Sequence, residues 1–496
     1  MGLFETKSVS RIMSESEGGA HQLKRTLGAG QLIALGIGAI IGAGLFSLTG
    51  LAAAQNSGPA VTISMMVAAV GCALAGLCYS EFSCMIPVAG SAYTYAYATL
   101  GEWIAWIIGW DLVIEYAVGS ATVSISWSAY VVSLLHTFHI NMPSQWIAGP
   151  FEMVALPDGT MVQGYANIPA VIIVFLISLL LMVGIKESAR TNAVIVAIKL
   201  AVVLVFIGVG WSYINPANYK PYLPQNTGEF GSFGISGVMM GAGTIFFAYI
   251  GFDAVSTAAQ ECRNPQKDMP IGIIGSLVAC TLLYLLFGHV LTGLVPYTQL
   301  GVAAPVALAI NKTPHVWINN LVTFGIICGF TSVILVMLMG QSRVFYSMSR
   351  DGLVPKIFSD IHPRFQTPWR SNMLFFLFVA PFSALLPLSI VGRMTSIGTL
   401  FAFVIVCAGV WVMRVKHPDQ TRPFKTPWVP VVPILGMVVN FALMYSLGWS
   451  NWLRLIVWLA IGQAIYFGYG RRHSHLRRGG PLKNSSSDIT SVMPGA

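Results

Sequence analysis

Charged residues are scarce in this sequence. Asp, Glu, Lys and Arg make up 9% of its 496 residues, whereas hydrophobic residues make up 55%. A typical soluble protein carries roughly 25% charged residues. The composition therefore argues strongly against a water-soluble protein and favours a chain whose helices cross a lipid bilayer.

Several motifs are also absent. The polar segment 1–27 has no short apolar stretch before a cleavage-like site, so no signal peptide is predicted. The seven cysteines show neither a disulfide framework nor metal-ligand spacing. HExxH, GxSxG and paired-cysteine motifs do not occur, so we expect neither an enzyme nor a metal or bound cofactor.

Apolar stretches long enough to cross the membrane occur twelve times. About 20 apolar residues in a helix span the roughly 30 Å hydrocarbon core, where lipid offers no partner to exposed backbone groups. The predicted spans are 28–54, 59–86, 101–136, 167–185, 191–213, 237–261, 271–295, 320–348, 373–391, 394–414, 430–448 and 451–470. The predicted units are a cytoplasmic segment 1–27, five-span units 28–213 and 237–414, two spans within 430–470, and a disordered cytoplasmic tail 471–496.

Basic residues decide how the third stretch, 101–136, crosses the membrane. If it is one long helix, 22 basic residues lie on the side of the N-terminus and 4 on the other side. Splitting this stretch into two spans would place 18 basic residues outside and 8 inside, against the positive-inside rule. One long span is therefore predicted, with both termini in the cytoplasm and the protein in the cell (inner) membrane. The net charge of +9 is assigned to topology, and no nucleic acid partner is expected.

Two spans carry signs of an interruption. Span 1 contains GAIIGAG from Gly38 to Gly44, and span 6 contains FFAYIGFDAVS from 246 to 256, with Gly251 at its centre. Close helix packing explains such glycines as well as unwinding does. Unwinding would free carbonyls at the end of one half-helix and N–H groups at the start of the next, which suits a zwitterion. Because the two spans lie five apart, matching breaks are typical of two inverted five-helix repeats.

Four motifs give the sequence a family resemblance. They are GAIIGAG at 38–44, GWDLVIEY at 109–116, AYIGFDAVSTAAQECRNPQKDMPIGI at 248–273 and SRVFYSMSRDGLVPKIFSDIHPRFQTP at 342–368. Together they resemble bacterial members of the cationic amino acid transporter family, within the amino acid–polyamine–organocation superfamily. The resemblance covers residues 25–470.

The resemblance implies an all-α membrane protein with the leucine-transporter-like fold, an inverted repeat of five helices plus two C-terminal helices. It implies a secondary active transporter that takes up L-amino acids, cationic or small neutral, by alternating access and with proton coupling. An amino acid exchanger and a nutrient sensor on the same fold remain open. The expected partners are the amino acid, protons and the lipid bilayer, and a small single-span partner protein also remains open.

The resemblance also implies a substrate site made of main-chain groups. The carboxylate is expected on the N–H groups of Ala43 and Gly44, and the ammonium on the carbonyls of Ile40, Phe247 and Ile250. The full expected set is Ile40, Ile41, Gly42, Ala43, Gly44, Phe246, Phe247, Ala248 and Ile250. The rings of Phe246, Phe247 and Phe252 either close over the substrate or simply pack, as aromatic residues in membrane helices do.

Lys199 is a basic residue inside span 5, roughly 12 Å along the helix from its start at 1.5 Å per residue. In proton-coupled relatives a lysine of the fifth helix replaces a sodium ion, and the resemblance places Lys199 in that position. Its ammonium is expected between span 1 carbonyls and hydroxyls near Thr331 or Ser332 of span 8. Because burial disfavours the charged form of lysine, we expect proton coupling there, with a fixed structural cation as the alternative.

Other ionisable residues also lie in apolar stretches, where charges are functional candidates. Asp111 and Glu115 share one face of span 3, and either recognise a cationic side chain, carry protons or form a buried helix contact. Glu81 and Asp253 lie nearer span ends, where a gate or ion pairs with loop arginines are expected. His289 is expected to be packed and hydrogen-bonded.

Overall fold

The structure is a computed structural model that describes residues 3–9, 12, 27–88, 91–156, 160–184, 189–259 and 262–478. Helix makes up 74% of it. Among these residues, seven helices are long and apolar enough to cross a membrane, and four shorter apolar helices accompany them. The chain is thus a multi-pass helical membrane protein, as its composition predicts.

The main helices follow one another along the chain with short connections, and one small hairpin lies between the fourth and fifth. They are α1 (Ala29–Ile40), α2 (Val61–Met85), α3 (Ser91–Thr99), α4 (Glu102–Thr137), α5 (Ile168–Val183), α6 (Ala189–Trp211), α7 (Gly234–Ile245), α8 (Pro265–Leu294), α9 (Pro305–Ile310), α10 (Val316–Arg350), α11 (Trp369–Leu385), α12 (Leu388–Lys416), α13 (Val431–Ser446) and α14 (Trp449–Ile465). The hairpin pairs β1 (Met153–Ala155) with β2 (Met161–Gln163). The sequence did not predict α3, α9 or the hairpin.

The chain between α1 and α2 is also helical, in π, α and 3₁₀ turns that cover 44–60. Gly58 has φ +59 and turns the chain there into α2. We call the face at which α1 begins the N-terminal face, and the face at which segment 44–57 ends the far face. Helix α8 packs against α1 and α2, α10 against α4 and α6, and α12 against α13.

Helix α4 runs without interruption through 36 residues. The prediction of one long third span is therefore confirmed. Its middle turn, Ile114–Val118, is a π-helix, and it contains Glu115. A π turn inserts an extra residue into an α-helix and often marks a functional position.

The predicted break between spans 9 and 10 is wrong. Helix α11 ends at Leu385, and α12 begins at Leu388 after Pro387. Because proline has no N–H to donate, it ends one helix and is tolerated at the start of the next. Arg393 consequently lies in the second turn of α12 instead of in a loop.

The predicted disordered tail is also wrong in part. Residues 471–478 are folded against the N-terminal face, where Arg477 Nε lies 2.7 Å from Oε1 of Glu102 and the Ser474 hydroxyl donates to the same carboxylate. A fully buried carboxylate needs such partners, which explains why this part of the chain is held. Residues 479–496 lie outside the described residues, as does most of the predicted N-terminal segment 1–27.

Candidate functional site

The first interruption lies immediately after α1. Ile41 has φ −71 and ψ 107, an extended conformation, although its N–H still donates to Ile37. The helical ladder resumes where the Phe46 N–H donates to the Gly42 carbonyl at 3.2 Å. The first N–H groups of a helix have no acceptor within it, so those that follow Ile41 are available to another partner. The predicted break of span 1 is confirmed.

The second interruption lies at the end of α7. The 3₁₀ turn Phe246–Tyr249 follows the helix, and Ile250 is extended with ψ 135. Gly251 then has φ +117, and a Cβ at this position would lie 2.8 Å from the carbonyl of Ala39. Only glycine combines this backbone conformation with so close an approach. The predicted break of span 6 is confirmed as well.

The two interruptions touch each other. A Cβ added to Gly44 would lie 2.2 Å from the Cα atom of Ala248, so the backbones of the two segments are in direct contact. Both residues are fully buried. The structure therefore brings the main-chain groups of residues 40–44 and 246–250, which the resemblance assigns to one substrate, into one place.

A tyrosine that the sequence reasoning missed connects the two segments. The hydroxyl of Tyr284 in α8 lies 3.1 Å from the Ile40 carbonyl oxygen and 2.8 Å from that of Ala248. A hydroxyl has one proton and donates to one acceptor at a time or shares it. The Phe247 carbonyl accepts from the Ile250 N–H at 3.2 Å. Two carbonyls assigned to the substrate ammonium thus already have a donor within the protein.

Lys199 lies beside the first interruption. Its side chain is 1% exposed, and its Nζ donates to the Gly38 carbonyl at 2.6 Å. The lysine stem passes Gly329 of α10, where an added Cβ would lie 3.3 Å from Lys199 Cγ. The lysine therefore joins α6 to α1 and packs on α10, and its predicted contact with a span 1 carbonyl is confirmed.

The hydroxyl groups expected near Lys199 have other partners. Thr331 donates to the Ile327 carbonyl at 2.9 Å and accepts from the Trp127 indole at 3.0 Å. Ser332 donates to the Gly329 carbonyl at 2.8 Å. In the described part of the chain, Lys199 forms its hydrogen bond with the Gly38 carbonyl and none with either hydroxyl, so the predicted cross-link is not present there. Local bonds to carbonyls three or four residues earlier in the helix satisfy both hydroxyls instead.

Three carboxyl groups are buried between α4 and the second interruption. Asp111, Glu115 and Asp253 are each at most 1% exposed. Glu115 lies beside Asp253, which accepts from the Tyr116 hydroxyl at 2.8 Å. Asp111 packs on Gly398 of α12 and has no hydrogen-bond partner in the described part of the chain. Since an unpaired ionised carboxylate is costly to bury, Asp111 is suited to hold a proton or to meet a cation.

The other ionisable residues are structural. Glu81 is paired with Arg414 at 2.8 Å and with Arg422 at 3.3 Å, and it accepts from the Thr426 N–H at 2.8 Å. The predicted ion pair with a loop arginine is thus confirmed for Glu81 through Arg422, whereas Arg414 lies in the last turn of α12. His289 stacks on the ring of Tyr219 at 4.7 Å and shares a hydrogen bond with its hydroxyl, which confirms a packed histidine.

Buried aromatic rings surround the second interruption. The ring of Phe403 in α12 lies 5.4 Å from that of Phe246 and 5.0 Å from that of Phe252. Tyr79 lies 5.5 Å from both Phe252 and Phe403. Edge-to-face and tilted contacts of this kind stabilise a core. Their closing over a substrate stays a prediction.

The groups at the two interruptions are main-chain donors and acceptors, which suit binding. Among the residues described, no group of three or more His, Cys, Asp or Glu side chains could hold a metal ion. Opened main-chain segments instead offer N–H donors and carbonyl acceptors at the centre of a helical bundle. Fold and site together define a multi-pass helical membrane protein in which two interrupted helices touch.

The comparison with protein families agrees with this class. The family model described as amino acid permease matches residues 27–469. The chain therefore belongs to the amino acid permease family, within the amino acid–polyamine–organocation superfamily. The resemblance seen in the sequence motifs is confirmed.

Several curated proteins are similar over almost their whole length. The branched-chain amino acid permease BcaP of Bacillus subtilis (strain 168) is 44% identical, with 96% of this chain and 99% of the relative covered. The methylthioribose transporter of the same organism is 42% identical with the same coverage. The chloroplastic cationic amino acid transporter 9 of Arabidopsis thaliana is 33% identical, with 91% of this chain and 89% of the relative covered. All are transporters or permeases, and this chain is a permease of the same kind, not an enzyme.

Proposed function

We propose that this protein is a secondary active transporter that carries an L-amino acid across the cell membrane by alternating access. The observation that carries the proposal is the contact between Gly44 and Ala248, where two interrupted helices meet. Donors after Ile41 and acceptors around Ile250 match the two ends of a zwitterion. No bound cofactor is needed, because an ion gradient supplies the energy.

The proposed architecture is twelve spans with both termini in the cytoplasm. Units 28–213 and 237–414 form two inverted repeats, and α13 and α14 follow them. The inverted repeats are supported by the position of the two interruptions, which lie in the first helix of each unit. Five helices per unit reverse its direction in the membrane, so one unit can rock against the other around a fixed central site.

We further propose that the preferred substrate is a neutral, branched aliphatic amino acid. The rings of Phe246, Phe252 and Phe403 supply apolar walls beside the second interruption. The relative at 44% identity is named as a branched-chain amino acid permease. A cationic substrate would instead require that its side chain reach Glu115 or Asp253.

A second candidate substrate is methylthioribose, because a relative of 42% identity is named for its transport. Methylthioribose has neither an ammonium nor a carboxylate, so it would not use the opposite partial charges of the interrupted helices. The two candidates therefore predict different competition patterns.

The test is uptake by the purified protein in liposomes with an acidic exterior. Labelled L-leucine should accumulate, and competition by unlabelled L-isoleucine and L-valine should exceed that by L-arginine and by methylthioribose. Stronger competition by arginine would indicate that the carboxyl groups of Glu115 and Asp253 recognise the substrate side chain. Competition by methylthioribose alone would reject the amino acid proposal.

We propose that protons drive this uptake and that Lys199 carries the coupling proton. Its ammonium holds the Gly38 carbonyl, three residues before the first interruption. Loss of the proton would weaken that bond and free the end of α1 to move. Burial makes the neutral form of a lysine accessible, which suits such an exchange.

A further inference from the structure

Two arginines at the far face have only neutral partners. Arg393 lies near the start of α12, and its Nη2 is 3.2 Å from Oε1 of Gln55 and 3.4 Å from Oδ1 of Asn56. Arg454 lies near the start of α14, and its Nη1 is 2.6 Å from Oδ1 of Asn451. In the ranges that the structure covers, no carboxylate forms an ion pair with either guanidinium.

Among the described residues, Arg393 has one donor without an acceptor and a second positive charge nearby. Nε of Arg393 is buried and has no hydrogen-bond acceptor among the described residues. Arg454 is the charged group that acts on Arg393, and the two positive charges repel each other. A buried donor without an acceptor is itself unfavourable. An anion bound by Arg393 would give its Nε an acceptor and would offset the repulsion between the two positive charges.

The pair lies at the end of the helical segment that leads to the site. Asn56 follows Gly44 by twelve residues, which is roughly 18 Å along a helix at 1.5 Å per residue. Gly392, next to Arg393, packs on Leu48 of the same segment, where an added Cβ would lie 3.1 Å from Leu48 Cδ1. Gln55 is exposed to the surroundings, whereas Asn56 is buried. Arg393 is thus at the rim between the far face and the interior.

We propose that Arg393 and Arg454 form a carboxylate-binding site at the far face, which receives the α-carboxylate of an amino acid on its way to or from the interrupted helices. This role rests on the proposed transport function. The planar guanidinium matches a carboxylate with two parallel hydrogen bonds, which a neutral amide oxygen does not allow. The carboxylate would displace the amide oxygens of Gln55 and Asn56 from Arg393.

Displacement of the Asn56 amide oxygen from Arg393 would affect the loop that precedes α7. The side-chain amide of Asn56 donates to the Gly231 carbonyl at 2.8 Å, and the main-chain carbonyl of Asn56 accepts from the Phe233 N–H at 2.9 Å. These bonds join the end of segment 44–57 to the loop that precedes α7. The carboxylate site therefore contacts both interrupted elements at their far ends.

The first arm of the test is labelling by phenylglyoxal, which modifies arginine, with peptide mass spectrometry as the readout. In the purified full-length protein, acetate should slow the modification of Arg393 and Arg454. The modification of Arg370, which is paired with Asp360 at the surface, should not change. Equal rates of modification of Arg393 and Arg454 with and without acetate would overturn the proposed carboxylate-binding site. Protection by inorganic phosphate but not by acetate would overturn the carboxylate assignment in favour of a phosphate group.

The second arm is uptake of the labelled amino acid by Arg393→Gln in liposomes. KM should rise about tenfold, the loss expected for a charge-assisted hydrogen bond, while kcat stays near the wild-type value. Lys312→Gln, which removes an exposed charge from a loop, should leave both constants unchanged. An unchanged KM for Arg393→Gln would overturn the carboxylate role in transport. If the wild type carried no amino acid, the proposed function would fail, and acetate protection would still decide whether the anion site exists.

Discussion

The hydroxyl of Tyr284 lies 2.8 Å from the carbonyl oxygen of Ala248 and ties α8 to the second interruption. The same hydroxyl lies 3.1 Å from the Ile40 carbonyl at the first interruption. The Ile40 carbonyl is one of the acceptors that we assign to the substrate ammonium. Tyr284 therefore ties the two interrupted segments to each other.

Replacing Tyr284 with phenylalanine should make substrate a stronger stabiliser of the protein. Removal of the hydroxyl leaves a buried carbonyl unpaired, which costs about 1–3 kcal/mol. The substrate ammonium would then replace the lost donor, so the rise in Tm on adding substrate should be larger in Tyr284→Phe than in wild type. Tyr219→Phe, which loses a hydrogen bond to His289 away from the site, should keep the wild-type rise. A smaller rise in Tyr284→Phe would contradict this role.

Gly44→Ala should abolish uptake. The added Cβ would lie 2.2 Å from the Cα atom of Ala248, and this contact with backbone cannot be relieved by a side-chain rotation. Overpacking of this kind typically costs about 1–3 kcal/mol and shifts the backbone. The control is Gly208→Ala in α6, where nothing lies within 4 Å of the added Cβ. Wild-type uptake by Gly44→Ala would show that the two segments need not touch.

Glu81→Gln should destabilise the protein strongly. Glu81 is the carboxylate shared by Arg414 and Arg422, and its loss leaves buried positive charge, at a cost of about 3–5 kcal/mol. Asp360→Asn removes an exposed pair with Arg370, which is worth only about 0–1 kcal/mol. Thermal unfolding in detergent would compare the two variants. Equal Tm values for both would mean that the Glu81 cluster is not a structural centre.

The sequence predicted the features that depend on local composition. Glycines around Gly44 and Gly251 located both interruptions, and the distribution of basic residues identified α4 as one helix. Lys199 was also assigned correctly to a carbonyl of α1, because a buried lysine in an apolar stretch needs an acceptor.

Features that depend on distant partners could not be predicted in the same way. Tyr284 is one aromatic residue in a long apolar stretch. The neighbouring sequence does not indicate which carbonyl groups its hydroxyl contacts. The order of residues 471–478 depends on Glu102, whose burial follows from packing that the sequence does not display. Arg393 was misplaced because the apolar stretches 373–391 and 394–414 did not locate the helix boundary at Pro387.

In the proposed mechanism, the interrupted helices bind an amino acid and Lys199 couples its movement to protons. Lys199→Ala in liposomes separates the two functions, because exchange of labelled for unlabelled amino acid needs binding but no gradient. The variant should retain exchange and lose the faster uptake that an acidic exterior gives the wild type. Lys312→Ala, which removes an exposed lysine, should behave as wild type. Equal acid-driven accumulation by Lys199→Ala and wild type would contradict the account.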